Sequence, residues 1–311
     1  MSADSPRIAA IGECMIELSD TGDGRLSLAY GGDSLNTSVY LARLGAAVDY
    51  VTALGDDAYS EAMLAFWRAE GIGTRHVRRL PGRLPGLYTI RTDAAGERSF
   101  YYWRSAAAAR DVLKEDDGRL AEVLPGYDVL FLTGVTLSIL DEASREKLFA
   151  ILEAAKERGA RIAFDSNYRP RGWSGPAAAR GAFERLARLA DIVLPSLDDE
   201  TALFGDADAA AVAARYAGWG AAEVAVKDGL RACTYRCGEE SGTVAAESVA
   251  EVVDTTAAGD AFDAAYLAAR LDGLEPDAAV RRGHRLAAAV IGHRGAVIPA
   301  AAMPSFDDEG A

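Results

Sequence analysis

The sequence predicts an α/β fold of three layers, a mostly parallel sheet with helices on both faces and a small β-sheet attached. Three observations predict it. Short apolar runs of strand length recur between stretches of helical periodicity, as in βαβ units. Two segments break that rhythm with alternating side chains and glycine punctuation. Near the C-terminus, small residues ending in a carboxylate open a helix, and a helix start of this kind suits an anion.

Residues 7–14 read as the opening strand, and residues 15–30, strand-like and interrupted by glycines, as a first excursion. Gly31-Gly32-Asp33-Ser34-Leu35-Asn36 then opens a helix at 37–44. The paired glycines would let a polar ligand approach, with Asp33 and Asn36 placed to bond its hydroxyls. Strand 48–54 and helix 60–70 follow. The second excursion reads as an antiparallel hairpin, 87–92 and 97–104, turning at Asp93-Ala94-Ala95-Gly96. Alternation puts Arg98, Phe100, Tyr102 and Arg104 on one face, Ser99, Tyr101 and Trp103 on the other, and Tyr88 with Ile90 on one face of the neighbouring strand. Strand 128–133, helix 142–158 and strands 161–165, 192–195 and 223–227, separated by helical stretches, complete the body. Residues 1–311 are expected to form one domain, with a lid from about 15–30 and 84–104.

Composition narrows the class. Half of the 311 residues are hydrophobic and no apolar run reaches membrane-spanning length, so a globular chain without membrane partners is expected. Residues 1–6 lack the basic and apolar regions of a secretion signal, and a cytoplasmic location is expected. Cys14, Cys233 and Cys237 are too few and too poorly spaced for a zinc site, and read as free thiols. A net charge of −14 disfavours nucleic acid as a partner, so none is expected, and means that an anionic substrate needs a local cluster of arginines.

The most informative stretch is Val253-Asp254-Thr255-Thr256-Ala257-Ala258-Gly259-Asp260. Ala257, Ala258 and Gly259 have little side chain, so their amides can approach a phosphate closely, and residues 261–271 continue as an apolar-faced helix. Asp260 beside a bound phosphate would repel it unless it takes a proton from an attacking hydroxyl; the plain alternative is that it caps the helix. Other polar groups follow strand ends, where α/β proteins keep their sites: Asn167 and Arg169 after one strand, Ser196 and Asp199 after the next, Lys227 and Gly229 after a third. Asp199 could hold Mg²⁺ through water, or simply belong to an acidic first helical turn. The hairpin aromatics could grip a ligand or pack an interface between copies.

Gly31-Gly32 with Asn36, and Asp254 through Asp260, resemble the two signatures of the ribokinase (PfkB-type) sugar kinase family, and the resemblance covers nearly the whole chain. Segments 11–18, 83–88, 96–104 and 167–170 look most like the branch acting on 2-keto-3-deoxygluconate. The resemblance implies a ribokinase-like fold and transfer of phosphate from ATP, with Mg²⁺, to the terminal hydroxyl of a keto-deoxy sugar acid. Asp260 would be the base, and the amides of Ala257, Ala258 and Gly259 the anion hole. Gly32, Asp33, Asn36, Tyr88, Tyr102, Arg104 and Arg169 would hold the sugar acid, the arginines its carboxylate. Asn167, Ser196, Lys227, Gly229, Ala258 and Gly259 would face ATP. A K⁺ site beside Asp254 and Thr256, as in some relatives, and a homo-oligomer joined through the β lid belong to the same expectation. Two departures stand out. Ala257 occupies a position where many members have glycine, which should matter little because the donors are backbone; Ser196 and Asp199 replace the usual Asn and Glu linked to the metal. A fructokinase-like enzyme is the nearest alternative, although it leaves Arg104 and Arg169 without an anionic partner. A non-catalytic sugar or nucleotide sensor is the other, against which the intact Asp260 and anion hole count.

Overall fold

In the computed structural model, residues 6–20, 23–92 and 98–306 are described. The strands are β1 (Arg7–Ile11), β2 (Met15–Asp20), β3 (Leu26–Gly31), β4 (Ala47–Leu54), β5 (Gly73–Arg79), β6 (Gly86–Thr92), β7 (Arg98–Trp103), β8 (Val129–Thr133), β9 (Arg161–Asp165), β10 (Ile192–Val193), β11 (Glu223–Asp228), β12 (Ala232–Cys237) and β13 (Glu240–Ala245). Helices α1 (Asp33–Arg43), α2 (Ala58–Ala69), α3 (Arg119–Val123), α4 (Gly134–Ile139), α5 (Glu142–Glu157), α6 (Pro176–Ala187), α7 (Leu197–Phe204), α8 (Ala209–Trp219), α9 (Ala258–Leu271) and α10 (Pro276–Ile291) join them.

Side-chain alternation along the strands builds two cores. In β1, Ala9 and Ile11 pack with Leu148, Phe183 and Val212 of α5, α6 and α8, while Ile8 and Ala10 pack with Leu35, Trp67, Phe262 and Leu286 of α1, α2, α9 and α10. These are the three expected layers. The nine-stranded sheet runs β13-β12-β11-β10-β9-β8-β1-β4-β5, parallel from β11 to β5 and antiparallel at β11-β12-β13. From β1 the chain first extends the sheet through β4 to β5, then returns to the other side at β8. Such a reversal leaves a crevice at the carboxyl ends of the strands.

The two excursions form a separate four-stranded sheet, β3-β2-β6-β7, with β6 and β7 antiparallel as expected. The expected turn at 93–96 lies outside the described residues. Boundaries moved in two informative places. The opening strand stops at Ile11, since Gly12 is pressed against Ser34, where a Cβ would lie 2.0 Å from the hydroxyl. Helix α1 begins at Asp33 rather than residue 37, with the Asn36 amide donating to the Gly32 carbonyl at 2.8 Å. The glycine pair also serves a different purpose. A Cβ on Gly32 would sit 2.1 Å from the Glu13 carbonyl oxygen and one on Gly31 2.6 Å from the Tyr88 hydroxyl, so the chain itself, before any ligand, requires glycine there. No described helix is long and apolar enough to cross a membrane.

Candidate active site

A cavity of about 810 Å³ opens at the carboxyl ends of β1, β8, β9, β10 and β11, within the size range of small-molecule sites. It brings together Gly32, Asp33, Asn36, Tyr88, Tyr102, Arg104, Asn167, Arg169, Ser196, Asp199, Lys227, Asp254, Thr256, Ala257, Ala258, Gly259 and Asp260. Gly229, expected at the nucleotide, sits instead in the β11–β12 turn and does not line the cavity.

Helix α9 points its N-terminus at this space. Its cap residue is Ala257, in the left-handed region at φ 60°, and no side chain caps it. The first amides of a helix have no partner within it. Here Ala258 donates weakly to the Thr255 carbonyl at 3.3 Å, and a Cβ on Gly259 would meet nothing closer than the Lys227 Nζ at 3.7 Å. Asp260 lies in the first turn and is not the cap. Its Oδ2 accepts from the Asn36 Nδ2 at 2.8 Å, which ties α9 to α1. Burial, then the Asp33 carboxylate, push its pKa up to about 7 despite the Asn36 hydrogen bond. A carboxylate poised there can take a proton near neutral pH. Asp33 is oriented by the Ser34 amide at 2.8 Å and the Asn167 Nδ2 at 2.7 Å. Asn167, expected at the nucleotide, therefore points toward Asp33; its φ of 29° turns the chain at the end of β9.

Beneath the helix start, the buried Lys227 Nζ donates to the Asp263 Oδ1 at 2.7 Å and lies 3.4 Å from the Asp165 Oδ1. Burial lowers its pKa, but Asp165 and Asp263 outweigh that and raise it, so it stays an ammonium. Lys227 thus supplies fixed positive charge next to the α9 amides. Sequence reasoning missed Asp263; its signal was the spacing of three from Asp260, which places both on one helical face.

The small sheet turns one face to the cavity. Register places Tyr88 opposite Glu17 on β2 and Tyr102 on β7, with Phe100 next to them. The rings of Tyr88 and Tyr102 stand 5.8 Å apart. The buried Tyr88 hydroxyl donates to the Glu17 carboxylate, leaving its lone pairs for a ligand. Arg104 donates through Nη2 to the buried Glu13 carboxylate, while its Nε and the Glu13 Oε1 have no partner among the described residues. Burial raises the Glu13 pKa against the pull of Arg104. Glu13 and Glu17 went unassigned from sequence because only the pairing of distant strands shows what they face. Arg169 and Asp199, expected in separate sugar and metal roles, pair with each other at 3.2 Å, and the Tyr168 amide also donates to Asp199 at 3.2 Å. Ser196 precedes α7, whose acidic first turn contains Asp199. Asp254 receives the Thr256 and Gly295 amides, each at 2.8 Å.

An α/β body with a ligand cavity at its strand ends, closed on one side by a small sheet and on another by an uncapped helix start, defines a small-molecule-binding class. Comparison with known proteins narrows it. The pfkB family carbohydrate kinase profile matches residues 5–303, and the chain belongs to that family. It is 45% identical over 310 residues to the 2-dehydro-3-deoxygluconokinase of Escherichia coli (strain K12), covering 97% of this chain and 100% of that protein. It is 45% identical over 306 residues to the enzyme of the same name from Dickeya dadantii (strain 3937), covering 96% and 98%. Among solved structures, the fructokinase with bound ATP from Xylella fastidiosa superposes with a TM-score of 0.82 at 26% identity, covering 96% of this chain and 95% of that one.

Proposed function

We propose that this chain is an ATP-dependent 2-keto-3-deoxygluconate kinase that makes the 6-phosphate. The observation that carries the chemistry is Asp260, held by Asn36 beside the uncapped start of α9 with its pKa near neutrality. The sugar's terminal hydroxyl gives its proton to Asp260 as its oxygen attacks the γ-phosphorus, and ADP leaves. The amides of Ala257, Ala258 and Gly259 and the Lys227 ammonium stabilise charge on the transferring group. Ser196 would border the nucleotide, and Asn167, which donates to Asp33, would stand between nucleotide and sugar. Mg²⁺ on a nucleotide keeps most of its water and takes one or two carboxylates. Asp199 suits such a contact, and among the described residues no cluster of three metal-binding side chains offers a closed cage. Bound there, the ion would neutralise phosphate charge. The K⁺ expected beside Asp254 and Thr256 rests on family resemblance.

On the sugar side, Asp33, Asn36 and the Gly32 backbone would meet hydroxyls, and Tyr88 and Tyr102 further oxygens. Arg104 has donors left after Glu13, and together with Arg169 it suits the substrate carboxylate. The small sheet then serves as a lid whose closure excludes water. Its outer face carries Leu28, Tyr101 and Trp103 exposed, the last at 62%, which suits pairing with the lid of a second copy. The test is product identification. Phosphorus NMR of a reaction with ATP and 2-keto-3-deoxygluconate should give ADP and a single ester at the 6-oxygen; ADP with inorganic phosphate alone would refute the reading.

A further inference from the structure

A second cavity, of about 300 Å³, shares no lining residue with this site and lies along the β5 edge of the large sheet. One wall is β5, the edge strand, with Arg75, His76, Arg78 and Arg79; the other is the stretch containing Asp116 and Arg119. Four guanidiniums against one lining carboxylate run counter to a chain with 33 basic and 47 acidic residues. Three have carboxylate partners: Arg75 with Asp49 at 2.9 Å, Arg78 with Asp116 at 2.8 Å and Arg79 with Glu61 at 2.6 Å. Arg119 is exposed and has no hydrogen-bond or ion-pair partner among the described residues.

The lining also contains buried polar atoms with nothing to bond. Among the described residues the Nε atoms of Arg78 and Arg79 lack partners, and so does Nδ1 of His76, whose residue is 7% exposed. The other ring nitrogen of His76 is committed, at 2.8 Å from the Tyr127 hydroxyl, which itself donates to the Asp49 Oδ2 at 2.6 Å. Because Tyr127 gives its proton to Asp49, His76 must donate from Nε2, and Nδ1 remains a bare lone pair in the neutral ring. Unmet polar atoms in a buried position are costly unless something arrives to bond them. A phosphate group answers those of His76 and Arg78, whose side chains share the face of β5 that meets Tyr127 and Asp116, whereas Arg79 turns to Glu61 on the other face. Its oxygens accept from the guanidiniums, and it can either donate a proton to Nδ1 or accept one from the charged ring.

We propose that this cavity binds a small phosphate-bearing anion at a site distinct from the kinase centre. Its position gives the binding a consequence. Strand β5 leads through residues 80–85 into β6, and β7 returns through residues 104–118 to Arg119, so the two walls stand at the outer ends of the two connections that carry the β6–β7 hairpin. Arg83 and Asp111 already pair between these connections, and the Ala108 amide donates to the Leu84 carbonyl at 2.9 Å. An anion held by Arg78 at the head of one connection and Arg119 at the foot of the other braces the base of the sugar-facing sheet. The site therefore tunes sugar affinity; this coupling rests on the kinase reading, whereas the binding does not.

The chain has three histidines, so selective ¹³C labelling reports on His76 with His284 and His293 as internal controls. The probes are inorganic phosphate and glycerol 3-phosphate, each against chloride at matched ionic strength. The His76 ring signal should move saturably with one or both probes while the other two stay still. A response to glycerol 3-phosphate alone assigns the site to esters, and a stronger response to inorganic phosphate assigns it to the free ion. Arg119→Ala removes an exposed, unpaired side chain and should leave folding and basal turnover intact, yet weaken binding roughly tenfold or more, as loss of a charged hydrogen bond does. A His76 signal that does not move, drifts linearly as with chloride, or responds equally in Arg119→Ala overturns the site. In the wild type the probe should change KM for the sugar acid, and in Arg119→Ala it should not; saturable binding with no such difference overturns the coupling alone.

Discussion

Replacing Asp260 by asparagine isolates the group on which the chemistry depends. The side chains are nearly isosteric, and an asparagine oxygen can still accept from the Asn36 Nδ2. The carboxyl titrates at about 7 in the folded chain against 3.8 for an ordinary aspartate, a difference of about three. A raised carboxyl value means that the folded state favours the protonated form. Below about pH 4 the group is protonated in both states and contributes nothing; the penalty grows between 3.8 and about 7 and is complete above that. At about 1.4 kcal/mol per tenfold, the ceiling is roughly 4 kcal/mol. Asp260 borders an open, wet cavity, which reduces the expected value to about 1–2 kcal/mol. Urea unfolding of wild type and Asp260→Asn at about pH 5 and about pH 8 measures it. Part of the penalty is already present at about pH 5, so the variant should gain on the wild type by about two-thirds of that amount between the two, while kcat falls roughly 10²- to 10⁴-fold. The wild-type kcat/KM should fall below about pH 7 as Asp260 takes up its proton. A stability difference that is flat with pH, or a variant that is less stable at pH 8 with near-normal turnover, would refute the assignment of Asp260 as a buried base.

Three further outcomes follow from the same geometry. Arg104→Ala should raise KM for the sugar acid roughly 10- to 150-fold and leave KM for ATP unchanged; it should also lower the melting temperature by stranding the buried Glu13, and an equal loss with neutral sugars would reassign Arg104 to packing. Ala257→Gly relieves a left-handed alanine, a strain of about 1–2 kcal/mol partly offset by unfolded-state entropy, so denaturant titration should show equal or slightly greater stability, opposite to the usual effect of adding glycine. Lys227→Met leaves Asp165 and Asp263 buried without their counter-charge and should cost about 3–5 kcal/mol in urea unfolding.

The buried strands were legible because burial on both faces demands nearly continuous apolar runs, as in Val129–Thr133. Strand β5, with the sequence GTRHVRR, was not, since an edge strand meets water and carries charge. The polar hairpin β12–β13 escaped for a similar reason. In the site, motif spacing found the α9 start and Asp260, because both lie in one continuous segment. It could not find Glu13 facing Arg104, Glu17 facing Tyr88, or Asp199 facing Arg169, since each pairing depends on how separate elements meet. The departure at Ala257 also reads differently in three dimensions. Its amide does not depend on the side chain, but its backbone conformation does.

The central claim is that this cavity transfers phosphate to a carboxylate-bearing sugar. The most direct measurement is kcat/KM, by ADP release, for 2-keto-3-deoxygluconate, its galactonate-series epimer and fructose under identical conditions. Loss of a charged hydrogen bond costs about 1.5–3 kcal/mol, so the gluconate-series acid should exceed fructose by at least roughly tenfold, with Arg104→Ala closing most of that gap. Fructose turning over as well as the acid, or a preference for the acid that survives intact in Arg104→Ala, would contradict it.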